Sequence, residues 1–177
     1  MNHGAAHPAP AFRIAEPADA PAIRALVERA YRGDSARAGW THEADLLGGD
    51  RTSLDEVCAI IAAPDKFAVL GELAGTLAAS VTVTDLGDGL CYLGMLAVDP
   101  ALQAGGLGRA LMAEAEAQAV RRFGARVMEM TVIAPRAELI AYYERRGYRR
   151  TGETRPFPME VPEAASFSMV VLERELG

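Results

Sequence analysis

Hydrophobic and polar positions along the chain follow two rhythms. Between Pro21 and Tyr31, the residues Ile23, Leu26, Val27 and Ala30 recur at the three- and four-residue spacing of one helix face. Glu16-Pro-Ala-Asp-Ala-Pro21 introduces that helix, and Phe12–Ala15 ahead of it is a short strand candidate. Ser53 and Asp55 are placed to cap a second helix carrying Val57, Ile60 and Ile61, which Pro64 stops. A β rhythm follows. Lys66–Leu73 and Thr76–Leu86 are joined through Ala74-Gly75, and Gly87-Asp-Gly89 turns into a third strand, Leu90–Val98, ended by Asp99-Pro100. Helical spacing returns with Leu107, Leu111, Ala115, Ala119 and Phe123 on one face, and Gly124 terminates it. A strand over Arg126–Ile133, a helix over Arg136–Arg146 stopped by Gly147, and strands near Tyr148–Glu153 and Phe167–Leu172 follow. This order predicts an α/β fold: a central mixed, mostly antiparallel twisted sheet flanked by helices.

With 177 residues, half of them hydrophobic, the chain is expected to form one domain over residues 12–177 behind a disordered tail over residues 1–11. That tail lacks the basic start and apolar stretch of a signal peptide, and no run of about 18 apolar residues exists to span a membrane. A cytoplasmic location is expected. Cys58 and Cys91 are too few for a disulfide framework and are expected as buried free thiols. His3 and His7 have i, i+4 spacing but sit in an Ala/Pro tail, so no metal site is expected. A net charge of −6 with scattered arginines argues against nucleic acid as a partner and suits a cationic substrate such as an amine. The polar stretch from Arg32 to Arg51 holds the only tryptophan, with one or two helical turns expected over Glu43–Leu47.

The most informative segment runs from Leu93 to Met112. A strand leads into a glycine-rich turn, Gln103-Ala-Gly-Gly-Leu-Gly108, which opens a helix. A helix N-terminus leaves N–H groups unpaired and carries partial positive charge, so a pyrophosphate is its natural guest. A Walker P-loop fails here, because Arg109-Ala110 follows the last glycine where Lys and Ser or Thr are required. A dinucleotide fingerprint would find Glu129 about 20 residues on, as that motif wants, but Leu111 occupies its third small position. The third reading is a Q/R-x-x-G-x-G/A turn, matched by Gln103, Gly106 and Gly108.

With Leu96-Ala-Val-Asp-Pro100 before the turn, Gly106-Leu-Gly-Arg-Ala-Leu-Met112 through it, and Ala141-Tyr-Tyr-Glu-Arg-Arg-Gly-Tyr148 about 35 residues later, the chain resembles the GNAT superfamily of N-acetyltransferases. The resemblance covers nearly everything from Phe12 to Leu172. It implies direct transfer of an acetyl group from acetyl-CoA to an amine of a small molecule or peptide, without an acetyl-enzyme. Leu96, Ala97 and Val98 would splay from the neighbouring strand after a bulge. Their backbone would pair with the pantetheine amides and offer an N–H to the thioester oxygen. Gln103, Ala104, Gly105, Gly106, Leu107, Gly108 and Arg109 would hold the pyrophosphate.

Attack on a thioester expels a thiolate, so a positioned acid helps and a base must first free the amine. The resemblance places the acid on Tyr143, while Tyr142 points elsewhere round the helix and packs. Arg136 stands where many relatives carry Asn, and a salt bridge to a CoA phosphate is the expected replacement. The base is unassigned among Glu43, His42, Glu129 and a water chain, with Glu129 expected on a solvated strand face. Trp40, His42 and Glu43 are the candidate acceptor-facing residues, and Arg155-Pro-Phe-Pro158 reads as a rigid loop covering the site. A monomer or homodimer without metal or membrane is expected. The alternative is a non-catalytic acyl-CoA-binding module.

Overall fold

The computed structural model describes residues 8–31, 51–103, 105–157 and 167–177. Their strands form a seven-stranded sheet: β1 (Ala11–Ile14), β2 (Lys66–Leu73), β3 (Thr76–Gly87), β4 (Leu90–Val98), β5 (Val127–Ile133), then β7 (Ser168–Glu175) and β6 (Arg149–Pro156) at the far edge. Every neighbouring pair is antiparallel except β4 and β5. The two-residue hairpin loops require positive φ at both positions, and Ala74 (50°) with Gly75 (77°), then Asp88 (53°) with Gly89 (80°), adopt it. The parallel step needs a crossover, which the helix α3 (Leu107–Phe123) supplies.

Helices on opposite faces of the sheet make two cores. On one, Val69, Val81, Leu93 and Met128 pack with Leu107, Leu111, Ala115 and Ala119 of α3 and with α4 (Ala137–Glu144). On the other, α1 (Ala20–Tyr31) and α2 (Leu54–Ala62) cover Ala68, Leu70 and Ala97. The internal strand β2 is therefore buried on both sides from Phe67 to Gly71, as its continuous apolar run requires. Ile23, Leu26, Val27 and Ala30 are all buried, and the Ser53 hydroxyl accepts the Glu56 N–H at 3.1 Å as the expected cap.

Three expectations are corrected. Cys58 is exposed, because α2 buries only Val57 and the thiol lies off that face; Cys91 is buried. The last two strands run further than their apolar runs suggested, to Pro156 and Glu175. Arg155-Pro156 is consequently strand rather than loop, tolerated because β6 is an edge where a missing N–H costs no ladder bond. No helix among the described residues is long and apolar enough to cross a membrane. The turns expected over Glu43–Leu47 lie outside the described residues.

Candidate active site

The parallel ladder between β4 and β5 covers only Leu90–Tyr92 and Val127–Glu129, and beyond it both strands continue unpaired with each other. A cleft of about 380 Å³ opens between them. A bulge in β4 sets its shape. Ser80 pairs with Ala97 and Thr82 with Gly94, so Val81 alone faces both Met95 and Leu96. Met95 takes the left-handed conformation, φ 47°, that absorbs the extra residue. Three side chains fasten the bulged strand: Thr82 Oγ1 donates to the Gly94 carbonyl at 2.9 Å, Gln103 Nε2 to that of Val98 at 3.2 Å, and the Tyr31 hydroxyl to that of Leu96. The segment Leu96-Ala97-Val98 is thus held beside the gap, as the bulge expectation required.

After β4, Asp99 Oδ1 accepts the Ala101 N–H at 3.0 Å and starts a short 3-10 turn over Pro100–Leu102. The chain then enters α3 through Gly106, whose φ of 79° favours a residue without Cβ. Nothing lies within 4 Å of where that Cβ would stand, and no side chain caps the helix. Gly108 approaches more closely: a Cβ there would come within 3.3 Å of Tyr142 Oη and Val98 Cγ2. Gly105, Gly106 and Arg109 are exposed at this end. Helix-terminal donors, an unobstructed approach and one arginine make a donor set that fits a pyrophosphate. Ala104 lies outside the described residues.

From the same side of the sheet, α4 brings Tyr143 to the cleft wall. Tyr143 is buried, with its ring edge-on to those of Tyr142 at 5.3 Å and Tyr148 at 6.2 Å. Tyr148 in turn donates to Glu116 Oε1 at 2.7 Å, and Arg174 holds the other oxygen at 2.8 Å. Burial and that carboxylate raise the Tyr148 pKa well above the ordinary phenol value, so Tyr148 is an anchor for its neighbour. Tyr142 packs, as expected, but its hydroxyl also reaches the glycine turn, and the Arg146 guanidinium lies 3.3 Å over its ring.

The model of the Acetyltransferase (GNAT) family matches residues 22–148, which contain the bulge, the turn and Tyr143. The chain belongs to the GNAT family. Among solved structures, the ribosomal-protein-S18-alanine N-acetyltransferase of Escherichia coli superposes with a TM-score of 0.72 at 19% identity, over 94% of each chain. The protein yncA of Salmonella typhimurium, solved with its cofactor acetyl-CoA, gives 0.70 at 21% identity, over 96% of this chain and 95% of that one. An N-acetyltransferase of Staphylococcus aureus Mu50 gives 0.69 at 15% identity, over 94% and 98%. These likenesses establish the shared fold. No curated protein matches the chain.

One residue of this GNAT domain sits differently from its expected place. Glu129 is buried rather than solvated, 3% exposed, because Arg155 binds both its oxygens at 2.7 and 3.0 Å. Arg155 also donates to Glu153 at 2.7 Å, and the two carboxylates raise the guanidinium pKa above its ordinary value. Arg136 is buried at the start of α4, lines the cleft and pairs with Glu138 at 2.6 Å. The alternation of β5 explains the sidedness. Met128, Met130 and Val132 face the α3/α4 core, so Glu129 and Thr131 face the α1/α2 side, where Tyr92 and Thr131 share a 2.7 Å hydrogen bond.

Arg155, Pro156 and Phe157 do line the cleft, as the covering-loop expectation held, though from a strand end. Sequence reading missed Tyr31, Arg51 and Tyr92 as cleft residues. Tyr31 carried a usable signal, since it ends a helix immediately before the polar stretch. Trp40, His42 and Glu43 lie outside the described residues. Among the described residues no group of His, Cys, Asp and Glu is arranged to hold a metal.

Proposed function

We propose that this chain is an acetyl-CoA-dependent N-acetyltransferase acting on an amine of a small molecule or peptide, and that it works in the cytoplasm. The carrying observation is the arrangement of three parts: the bulged β4 edge and the Tyr143 ring line one cleft, and the open glycine turn lies against Val98 of that strand and against Tyr142, the neighbour of Tyr143. The turn residues Gln103, Gly105, Gly106, Leu107, Gly108 and Arg109 would hold the pyrophosphate, and the backbone of Leu96, Ala97 and Val98 the pantetheine. Acetyl-CoA supplies an acyl carbon activated as a thioester and a sulfur able to leave as thiolate. Tyr143 holds a proton at Oη on the cleft wall and is the group we assign to protonate the departing sulfur. Backbone N–H groups beside the bulge are fixed donors for developing negative charge, and Tyr31 and Gln103 keep their strand from relaxing.

No carboxylate or imidazole lines the cleft among the described residues, which is what a non-catalytic acyl-CoA-binding module would also display. A calorimetric titration with acetyl-CoA, with NAD as control, followed by CoA-release assays across an amine and peptide panel, separates the readings. One-site binding of acetyl-CoA alone and turnover of at least one amine are expected. Binding without turnover on any amine would favour the module, and binding of NAD or of neither would remove the proposal.

A further inference from the structure

The cleft is lined by residues from both faces of the sheet. From the α3/α4 side come Leu139 and Tyr143; from the α1/α2 side come Tyr31, Arg51, Tyr92 and Arg155. Three arginines line the cleft and, among the described lining residues, no aspartate or glutamate does. Two of these arginines are already matched by carboxylates, Arg155 by Glu129 and Glu153 and Arg136 by Glu138. Arg51 differs. Its backbone N–H donates to Glu28 Oε1 at 2.7 Å, as does that of Thr52 at 2.8 Å, and its guanidinium lies 5.3 Å over the ring of Tyr31. Among the described residues no carboxylate pairs with that guanidinium.

Glu28 and Tyr31 are three residues apart on α1 and thus share a face, so one helix fixes both ends of Arg51. The same Tyr31 ends in a hydroxyl bonded to the Leu96 carbonyl at the bulge. A positioned cation therefore stands one tyrosine ring from the strand proposed to bind the acyl carrier. The surrounding wall is apolar, with Met95, Met169 and Phe157. A half-buried guanidinium in such a wall binds a carboxylate through charge-assisted hydrogen bonds.

We infer that the acceptor is an amine bearing a carboxylate on an apolar body, as in an α-amino acid with an apolar side chain, and that Arg51 binds its carboxylate. A single guanidinium with no carboxylate partner among the described residues suits a monoanion. This deepens, and rests on, the acetyltransferase reading. It also runs against the net charge of −6, because the sign that matters is that of the cleft.

The test is a calorimetric titration of the CoA-saturated protein with phenylalanine and with phenylalaninamide, which differ in the carboxylate. CoA affinity in the preceding titration reports on the acetyltransferase reading by itself, and the acid–amide comparison is run on the protein alone should CoA fail to bind. Phenylalanine is expected to bind about 10- to 100-fold more tightly than its amide. Arg51→Gln is expected to erase that preference and Arg51→Lys to keep part of it. Equal binding, preference for the amide, binding of neither, or a preference that survives Arg51→Gln overturns the inference.

Discussion

Tyr143 shows how one hydroxyl is placed by its neighbours. Two tyrosine rings meet its ring edge-on, and the deeper one, Tyr148, is immobilised through Glu116 and Arg174. Tyr143→Phe keeps all the ring contacts and removes only the proton carrier. Turnover is expected to fall about 100-fold or more, the usual contribution of a positioned acid, with little change in acetyl-CoA affinity. Steady-state CoA release together with calorimetry checks both halves, and unchanged turnover would take Tyr143 out of the mechanism. Position 143 was legible in the sequence because a motif in register marks it. Glu129 was not, because an isolated carboxylate between Met128 and Met130 reads as a solvated strand position. Its partner Arg155 lies 26 residues away on a strand that reaches β5 only across β7.

At the scale of elements, hydrophobic spacing foresaw the buried face of α3 and could not foresee what that face also holds. Glu116 lies inside it, 7% exposed, and joins α3 to the end of β7 through Arg174 and to the close of the Gly147-Tyr148 turn through the Tyr148 hydroxyl. Arg174 is partly exposed and can turn to water when its partner is lost, but Tyr148 is 1% exposed and cannot. Glu116→Ala should therefore cost about 1–3 kcal/mol, the penalty of a buried donor left unsatisfied. A urea denaturation midpoint equal to that of the parent chain would contradict this account.

For the molecule as a whole, protonation links stability to pH in two directions. Burial pushes the Cys91 thiol from 9.0 up to about 11, and Tyr148 is raised above its ordinary value by burial and Glu116. The folded chain then holds protons that the unfolded chain has released, so stability is whole below about pH 9 and falls as pH rises beyond it. Asp19 works oppositely: hydrogen bonds from Arg13 hold its pKa below 3.8, giving stability that is present above that value and lost as pH falls through the folded one. That second contribution is small, because the pair is partly exposed and water screens it. Urea midpoints measured from about pH 4 to about pH 10.5 should decline at the alkaline end, and a midpoint that rises there would refute the assignment.

The amino-acid sequence by itself determined the order and kind of the elements, the hairpin turns, the glycine entry to α3 and the tyrosine on α4. These depend on spacing, on residues able to adopt positive φ and on contacts within a few positions of the chain. Tertiary structure alone decided that β4 and β5 part after three residue pairs, that residues from both faces of the sheet line the cleft between them, and that Arg51, Tyr92 and Arg155 meet there. It also decided which charges are cancelled. The pairs Arg155–Glu129 and Arg174–Glu116 span 26 and 58 residues, and no local pattern encodes such a distance. Whether a carboxylate faces water or a guanidinium follows from which strand the sheet sets beside it, a matter settled only when the chain closes on itself.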